Sequence, residues 1–184
     1  MAKKRRIAYT SRPWEASGIC SGCHLCELWC SLKQNGAFNP HRARVRVVEL
    51  NTGIDIPVTC QQCEDPPCQA SCTFDAIVYD DRLKIVVVED EKCTGCQACV
   101  GACPYGIITI DPVTHKAIKC DLCKGDEPTC VAYCPSNVLA ALDDLGSGEC
   151  NRRRFAAVLA FEDEARRYKP AGEEPTQKKL EKSG

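Results

Sequence analysis

No stretch of this 184-residue chain approaches the roughly 18 apolar residues that spanning a bilayer requires; the longest apolar run is Phe155 to Phe161. A membrane-crossing segment is therefore not expected. Behind the basic start Lys3-Lys4-Arg5-Arg6, the stretch to Gly18 contains Thr10, Ser11, Arg12, Pro13, Glu15 and Ser17. That leaves no apolar h-region, so neither a secretory nor a twin-arginine signal is read, and the expected location is the cytoplasm. Charge of one sign is also missing, since 24 Lys and Arg meet 25 Asp and Glu, and aromatic residues make up only 6% of the chain. Nothing in that balance suggests nucleic-acid binding. There is no G-x-G-x-x-G after a strand, no Walker loop, and no Ser-His-Asp arrangement that one sequence can support. The expectation is a carrier with no catalytic residue of its own.

What the chain has in excess is cysteine, 17 residues in all. In a reducing compartment so many thiols are not held as stable disulfides, and metal is the economical explanation. Sixteen of them fall into four groups: Cys20, Cys23, Cys26, Cys30; Cys60, Cys63, Cys68, Cys72; Cys93, Cys96, Cys99, Cys103; and Cys120, Cys123, Cys130, Cys134. Groups one and three are C-x2-C-x2-C-x3-C, whereas two and four lengthen the gap before the third cysteine. In the bacterial ferredoxin run of this spacing, three close cysteines ligate one cubane and the fourth ligates a partner cluster. Three thiolates two residues apart can wrap three corners of a cubane only if the backbone curls tightly, and the last corner needs a distant cysteine. The pairs Cys103-Pro104 and Cys134-Pro135 match the ferredoxin pattern, with proline suited to the first turn of a following helix; Cys30-Ser31 and Cys72-Thr73 lack it. Gly22, Gly95 and Thr94 are small enough to let backbone N–H groups approach a cluster.

Zinc is the competing reading, but its structural sites use two separated CxxC pairs, and three cysteines at CxxCxxC strain a single tetrahedral ion. Cys150 is left over and is read as unliganded. His24 and His115 are not needed as iron ligands, and His24 either tunes potential or faces solvent. Arg42, Arg44 and Arg46 on one side of a strand, and Arg152 to Arg154, are read as solvated faces, with docking surfaces as the alternative.

Between the groups the pattern turns to short strands. Ala43 to Val47 and Ile54 to Val58 flank Asn51-Thr52-Gly53; Ala76 to Tyr79 and Leu83 to Val88 flank Asp80-Asp81; Ile107 to Ile110 and Lys116 to Ile118 flank Asp111 to Thr114. Each reads as a hairpin. After Cys150, Phe155, Val158, Phe161, Ala165 and Tyr168 recur at helical spacing, predicting an amphipathic helix over 151–168. Residues 169–184 mix lysine and glutamate with no apolar face and are expected to be a disordered tail.

The motifs Cys20-Ser21-Gly22-Cys23-His24-Leu25-Cys26, Cys60-Gln61-Gln62-Cys63 with Pro66-Pro67-Cys68, Cys93-Thr94-Gly95-Cys96-Gln97-Ala98-Cys99 and Cys120-Asp121-Leu122-Cys123 resemble those of the four-cluster ferredoxin-like subunits that accompany molybdenum or tungsten enzymes of the dimethyl sulfoxide reductase type. The resemblance covers roughly Ile19 to Leu142. It implies an α+β fold of two fused, interleaved bacterial ferredoxin-like 2[4Fe–4S] modules with short β-hairpins and a C-terminal helix. After an N-terminal extension over 1–18, residues 19–57 and 111–150 form an outer module and residues 58–110 an inner one. It also implies a nested exchange of ligands among four [4Fe–4S] clusters: Cys20, Cys23, Cys26 with Cys134; Cys120, Cys123, Cys130 with Cys30; Cys60, Cys63, Cys68 with Cys103; and Cys93, Cys96, Cys99 with Cys72. The implied role is an electron-transfer subunit between a tungsten- or molybdenum-pterin catalytic subunit and another redox partner, such as a flavin subunit or soluble ferredoxin. The chain looks most similar to small subunits found with cytoplasmic tungsten enzymes of the aldehyde ferredoxin oxidoreductase type. Hydrogenase, formate dehydrogenase and carbon monoxide dehydrogenase systems use similar subunits, and a free-standing polyferredoxin is the other alternative.

Overall fold

The β-branched segments between the cysteine groups form strands, and the cysteine groups form loops that each lead into a helix. A computed structural model describes residues 5–9, 19–50 and 54–143. In chain order the elements are β1 (Arg5–Tyr9), α1 (Leu25–Asn35), β2 (Val45–Leu50), β3 (Ile54–Thr59), α2 (Pro67–Ala70), β4 (Ile77–Asp80), β5 (Ile85–Val88), α3 (Ala98–Ala102), β6 (Thr109–Ile110), β7 (Ala117–Ile118), α4 (Thr129–Ala132) and β8 (Leu139–Asp143). Single 3-10 turns occur at Pro40–Arg42 and Leu122–Gly125. The sequence-predicted helix over 151–168, the tail and Cys150 lie outside the described residues.

The strands form two-stranded antiparallel sheets. Three are local hairpins that set Val45 opposite Thr59, Ile77 opposite Val88, and Thr109 opposite Ile118. The fourth, β1 with β8, joins segments far apart in the chain and sets Ile7 opposite Ala141. The 1–18 segment is thus not a plain extension: Arg5–Tyr9 supplies a strand, and Ile7 is 1% exposed. Thr59 at the end of β3 ties this pair to its neighbour by donating to the Ile7 carbonyl at 2.9 Å. Two-stranded sheets are marginal in water alone, so their stability depends on what they pack against.

Two apolar clusters provide that packing. One gathers Ile7, Ala43, Val45, Ile85, Leu122 and Leu139 around Cys26, Cys30 and Cys130. The other gathers Ile77, Val86, Ile108 and Ala117 around Cys68 and Cys99. The helices follow the same division, with α1 packed on α4 and α2 on α3. Successive side chains on a strand point to opposite faces, and β5 uses this: Ile85 enters the first cluster and Val86 the second.

Helix α1 is the only long one among the described residues. Its sequence LCELWCSLKQN has few strong breakers, Glu27 and Lys33 complement the dipole, and Gly36 closes it in the left-handed region, its N–H donating to the Leu32 carbonyl at 2.8 Å. In all four helices the third cysteine of a group is the second helical residue: Cys26, Cys68, Cys99 and Cys130. The helix anticipated after the fourth cysteine is therefore misplaced. Cys103 caps the end of α3, and turns follow Cys72, Cys103 and Cys134, whose carbonyls accept from Asp75, Gly106 and Asn137. The reason is the third thiol, which needs burial close to the first two and gets it when the chain enters a helix there.

The reading of Arg42, Arg44 and Arg46 as a solvated or docking face also needs correction. Arg42 lies in the 3-10 turn, and its Nε and Nη2 grip the Asp111 carboxylate at 2.8 to 3.0 Å. The pair is largely buried, with side chains 16% and 3% exposed. Arg44 pairs with buried Asp121, which also accepts from Gln34 at 2.9 Å and the Cys123 N–H at 3.1 Å. Arg46 is spent on the carbonyls of Pro40 and His41. Among the described residues no buried side-chain nitrogen or oxygen lacks a hydrogen-bond partner.

Candidate functional site

The residue before the second cysteine adopts a positive φ in every group: Gly22 at 63°, Gln62 at 50°, Gly95 at 74° and Leu122 at 52°. His24, Gln97 and Lys124, just after that cysteine, do the same in three groups. Most residues avoid this region, and its recurrence at one position shows four copies of the same tight loop. Left-handed residues within such a loop turn successive N–H groups inward into an anion-binding concavity. The N–H groups of Gly22 and Leu122 reach Cys20 and Cys120 in this way. From outside the loops, the N–H groups of Arg44, Ala76 and Ala117 donate to the sulfurs of Cys30, Cys72 and Cys93 at 3.3, 3.3 and 3.4 Å.

Three cavities lie inside these loops. One is lined by Cys93, Cys96, Cys99 and Cys72. A second is lined by Cys120, Cys123, Cys130 and Cys30. A third is lined by Cys20, Cys23, Cys26 and Cys134. Each brings three cysteines of one group together with the last cysteine of another. In the remaining group, Cys68 is buried and its thiol interacts with those of Cys60 and Cys103; Cys63 is half-buried.

Burial dominates the electrostatics. It pushes the thiols of Cys26 and Cys120 up to about 12, and raises Cys20, Cys30, Cys68, Cys99 and Cys130 as well, with neighbouring thiols adding to the effect. A ring of buried thiols resists ionising without a cation to share the charge. His24 is a surface feature of the first loop, hydrogen-bonded to Glu27 at 2.9 Å and Glu49 at 3.2 Å. The Glu27 bond raises its imidazole above the ordinary value, with Glu49 adding to this and burial opposing it. His115 supplies a backbone carbonyl against Gly95, leaving no space there for a Cβ.

The donor set fits an iron–sulfur cubane. In three of the groups four thiols ring a cavity, and N–H groups aim at the sulfurs. A tetrahedral zinc would draw four thiolates to about 2.3 Å from one point. Among the described residues no three Cys, His, Asp or Glu converge closely enough for a single ion.

A 4Fe-4S dicluster domain model matches residues 53–144. The chain belongs to that family. Its members' cofactor, the [4Fe–4S] cluster, is the group these loops suit. It is 46% identical over 115 residues to the polyferredoxin-like subunit of an aliphatic sulfonate oxidoreductase from Pyrococcus furiosus, covering 62% of this chain and 66% of the relative. It is 35% identical over 166 residues to the electron transport protein HydN of Escherichia coli, covering 76% of this chain and 93% of that one. Against AegA and UacF, named as oxidoreductases in the same organism, it spans only 26% and 24% of their length. A solved structure, the BamBC active site complex of benzoyl coenzyme A reductase with benzoyl-CoA, overlays 88% of this chain and 98% of that one at 24% identity. Its TM-score of 0.45 is too loose to bear on function.

The residues missed by reading the sequence are the buried polar ones behind the loops: Glu27, Gln62, Asp111, Lys119 and Asp121. Gln62 had a signal, lying inside Cys60-Gln61-Gln62-Cys63. The others carry out their roles through partners distant in the chain, which spacing does not reveal.

Proposed function

We propose that this chain is a relay of four [4Fe–4S] clusters that carries single electrons between an oxidoreductase catalytic subunit and a second redox partner. The ligand sets are Cys20, Cys23, Cys26, Cys134; Cys120, Cys123, Cys130, Cys30; Cys60, Cys63, Cys68, Cys103; and Cys93, Cys96, Cys99, Cys72. The observation that carries the reading is the exchange itself: in three cavities, three thiols of one group meet the last thiol of another. Two nested modules follow, an outer one over 19–57 and 111–150 and an inner one over 58–110. The two apolar clusters follow that division in the main, with Ile85 of the inner stretch entering the first and Ala117 of the outer stretch entering the second.

Bound clusters supply one-electron storage, with potentials set by hydrogen bonds to sulfur, burial and nearby charge. The chain's own part is to hold thiolates in place, direct N–H groups at them, and keep water away with Ile7, Val45, Ile85, Ile108 and Val138. Neighbouring thiols support an order for this relay: Cys26 of the first set is close enough to act on Cys130 of the second, Cys60 of the third acts on Cys120 of the second, and α2 packs on α3 between the third set and the fourth.

The catalytic partner in this reading is a tungsten- or molybdenum-pterin enzyme of the cytoplasm. The Pyrococcus relative, named as a subunit of an oxidoreductase, supports a partner of that general kind. Among the described residues no helix is long and apolar enough to cross a membrane.

The test is anaerobic purification from the native source with iron and acid-labile sulfide analysis. About sixteen iron per chain follows from four cubanes, together with a stoichiometric large subunit that contains tungsten or molybdenum. Elution alone sinks the wiring role, and zinc without sulfide sinks the clusters.

A further inference from the structure

Lys119 is 3% exposed, and among the described residues no carboxylate pairs with it. A buried lysine without a counter-ion is costly unless other groups meet its charge. Its Nζ donates to three acceptors: the Val86 carbonyl, the Cys120 carbonyl at 3.3 Å and Gln62 Oε1 at 3.4 Å. An ammonium has three N–H donors and no acceptor, whereas a neutral amine would turn its lone pair toward one of these oxygens. Three acceptors around three donors are the environment of the charged form.

The same three contacts locate it. Val86 lies on β5, the strand shared by both apolar clusters. Gln62 lies in the loop of the second cysteine group, and its other amide end donates to the Cys120 carbonyl at 2.9 Å while Oε1 also accepts the Val86 N–H at 3.2 Å. Cys120 opens the fourth group. Lys119 therefore stands where the outer and inner modules meet, between the loop of Cys60 and Cys63 and the loop of Cys120 and Cys123. Its charge is felt at Cys68, where it is the main influence opposing burial.

We infer that Lys119 is the residue that sets the reduction potential of the cluster held by Cys60, Cys63, Cys68 and Cys103, its fixed positive charge making the added electron more stable there than at the other three. This rests on the four-cluster reading. A [4Fe–4S] cluster with four thiolates is anionic before and after reduction, so each added electron increases its attraction to a neighbouring cation. The step takes in one electron and moves no proton. Electrons entering the relay from either end then pause at its middle, at the boundary between modules.

The experiment is an electron paramagnetic resonance redox titration of the full chain carrying its clusters, with dithionite as reductant. The chains compared are wild type, Lys119→Met, Lys119→Gln and Lys119→Arg. Iron and sulfide content is measured first: wild-type protein far below about sixteen iron per chain refutes the four-cluster reading, whatever the titration shows. Given that content, one couple is expected to become at least tenfold harder to reduce in Lys119→Met and Lys119→Gln, which is 59 mV for a one-electron step, while Lys119→Arg keeps the wild-type value. Gln62→Glu, which places a carboxylate against the ammonium, lowers the same couple and shows that charge at this junction is felt there while the lysine is kept. An unmoved couple in Lys119→Met and Lys119→Gln, or an equal displacement of all four couples, would overturn the assignment.

Discussion

Two glycines in the same backbone conformation separate the requirements of the cluster loops from those of ordinary turns. Gly95, at φ 74°, lies between Cys93 and Cys96, and a Cβ there would overlap the backbone carbonyl of His115. Gly36, at φ 70°, ends α1 with nothing within 4 Å of the same added atom. Placing an L-residue in the left-handed region costs about 1–2 kcal/mol at either site. At Gly95 the overlap adds to this, because a carbonyl of the chain cannot swing aside as a side chain can, and overpacking of this kind costs about 1–3 kcal/mol more. Gly95→Ala is therefore expected to lose about 2–5 kcal/mol and Gly36→Ala about 1–2 kcal/mol. With a slope of about 2 kcal/mol per molar urea, the midpoint for loss of iron–sulfur absorbance should fall by roughly 1–2.5 M in the first and by at most about 1 M in the second. Anaerobic urea titration with iron analysis reads both quantities, and Gly95→Ala should also bind less iron as purified. Equal midpoints and full iron in both variants would refute the claim that close approach of the His115 backbone shapes this loop.

Other outcomes follow from the same geometry. Cys72→Ser, Cys96→Ser and the double variant should each lose the same single cluster, about four iron per chain; additive losses measured by iron analysis would break the exchange of Cys72 into the Cys93 set. Removing the guanidinium in Arg42→Ala should cost about 3–5 kcal/mol, because Asp111 is left buried and unpaired. Burial raises the Asp111 carboxyl, but the Arg42 guanidinium and the N–H groups of Val113 and Thr114 together hold it below the usual carboxylate range. A lowered value stabilises the fold above the unfolded carboxylate pKa of about 3.9. The gap between wild type and Arg42→Ala in urea should thus be flat from about pH 5 to 8, begin to close as pH falls through the ordinary carboxylate range, and be lost once pH has fallen through the lowered value. Cluster assembly should release protons at neutral pH, since thiols pushed up to about 12, such as Cys26 and Cys120, are protonated before loading. Calorimetry in buffers of different ionisation heat measures that release, and iron affinity should weaken as pH falls.

The cysteine groups and three hairpins were legible because each is written in adjacent residues: repeated spacing in one case, alternation around a turn in the other. The strand boundaries shifted by one to three residues, with Ile77–Asp80 forming where Ala76 to Tyr79 was expected and Val45–Leu50 where Ala43 to Val47 was. The short helices were invisible to periodicity, since the four or five residues of α2, α3 and α4 complete barely one turn. Such turns do not persist alone, so their helicity is a product of packing around the third cysteine. The strand Arg5–Tyr9 was missed for a different reason. Its one deeply buried residue, Ile7, follows four basic residues, and its partner strand lies beyond the last ligand loop. Arg42 with Asp111 and Lys119 with the Val86 carbonyl are likewise agreements between distant positions, where Arg42, Asp111 and Lys119 taken singly each read as solvent-facing charge.

The pairing of β1 with β8 also sets a timetable for synthesis. The inner hairpin and loops have all their local partners once residue 118 has left the ribosome. Strand Arg5–Tyr9, by contrast, must wait for Leu139–Asp143, more than a hundred residues later. At about 5–20 residues per second, Ile7 and the first cysteine loop stay without their final neighbours for roughly 6 to 26 s. During that interval the oldest part of the nascent chain is the least finished, and an iron-delivery or chaperone system has its longest access to the outer module.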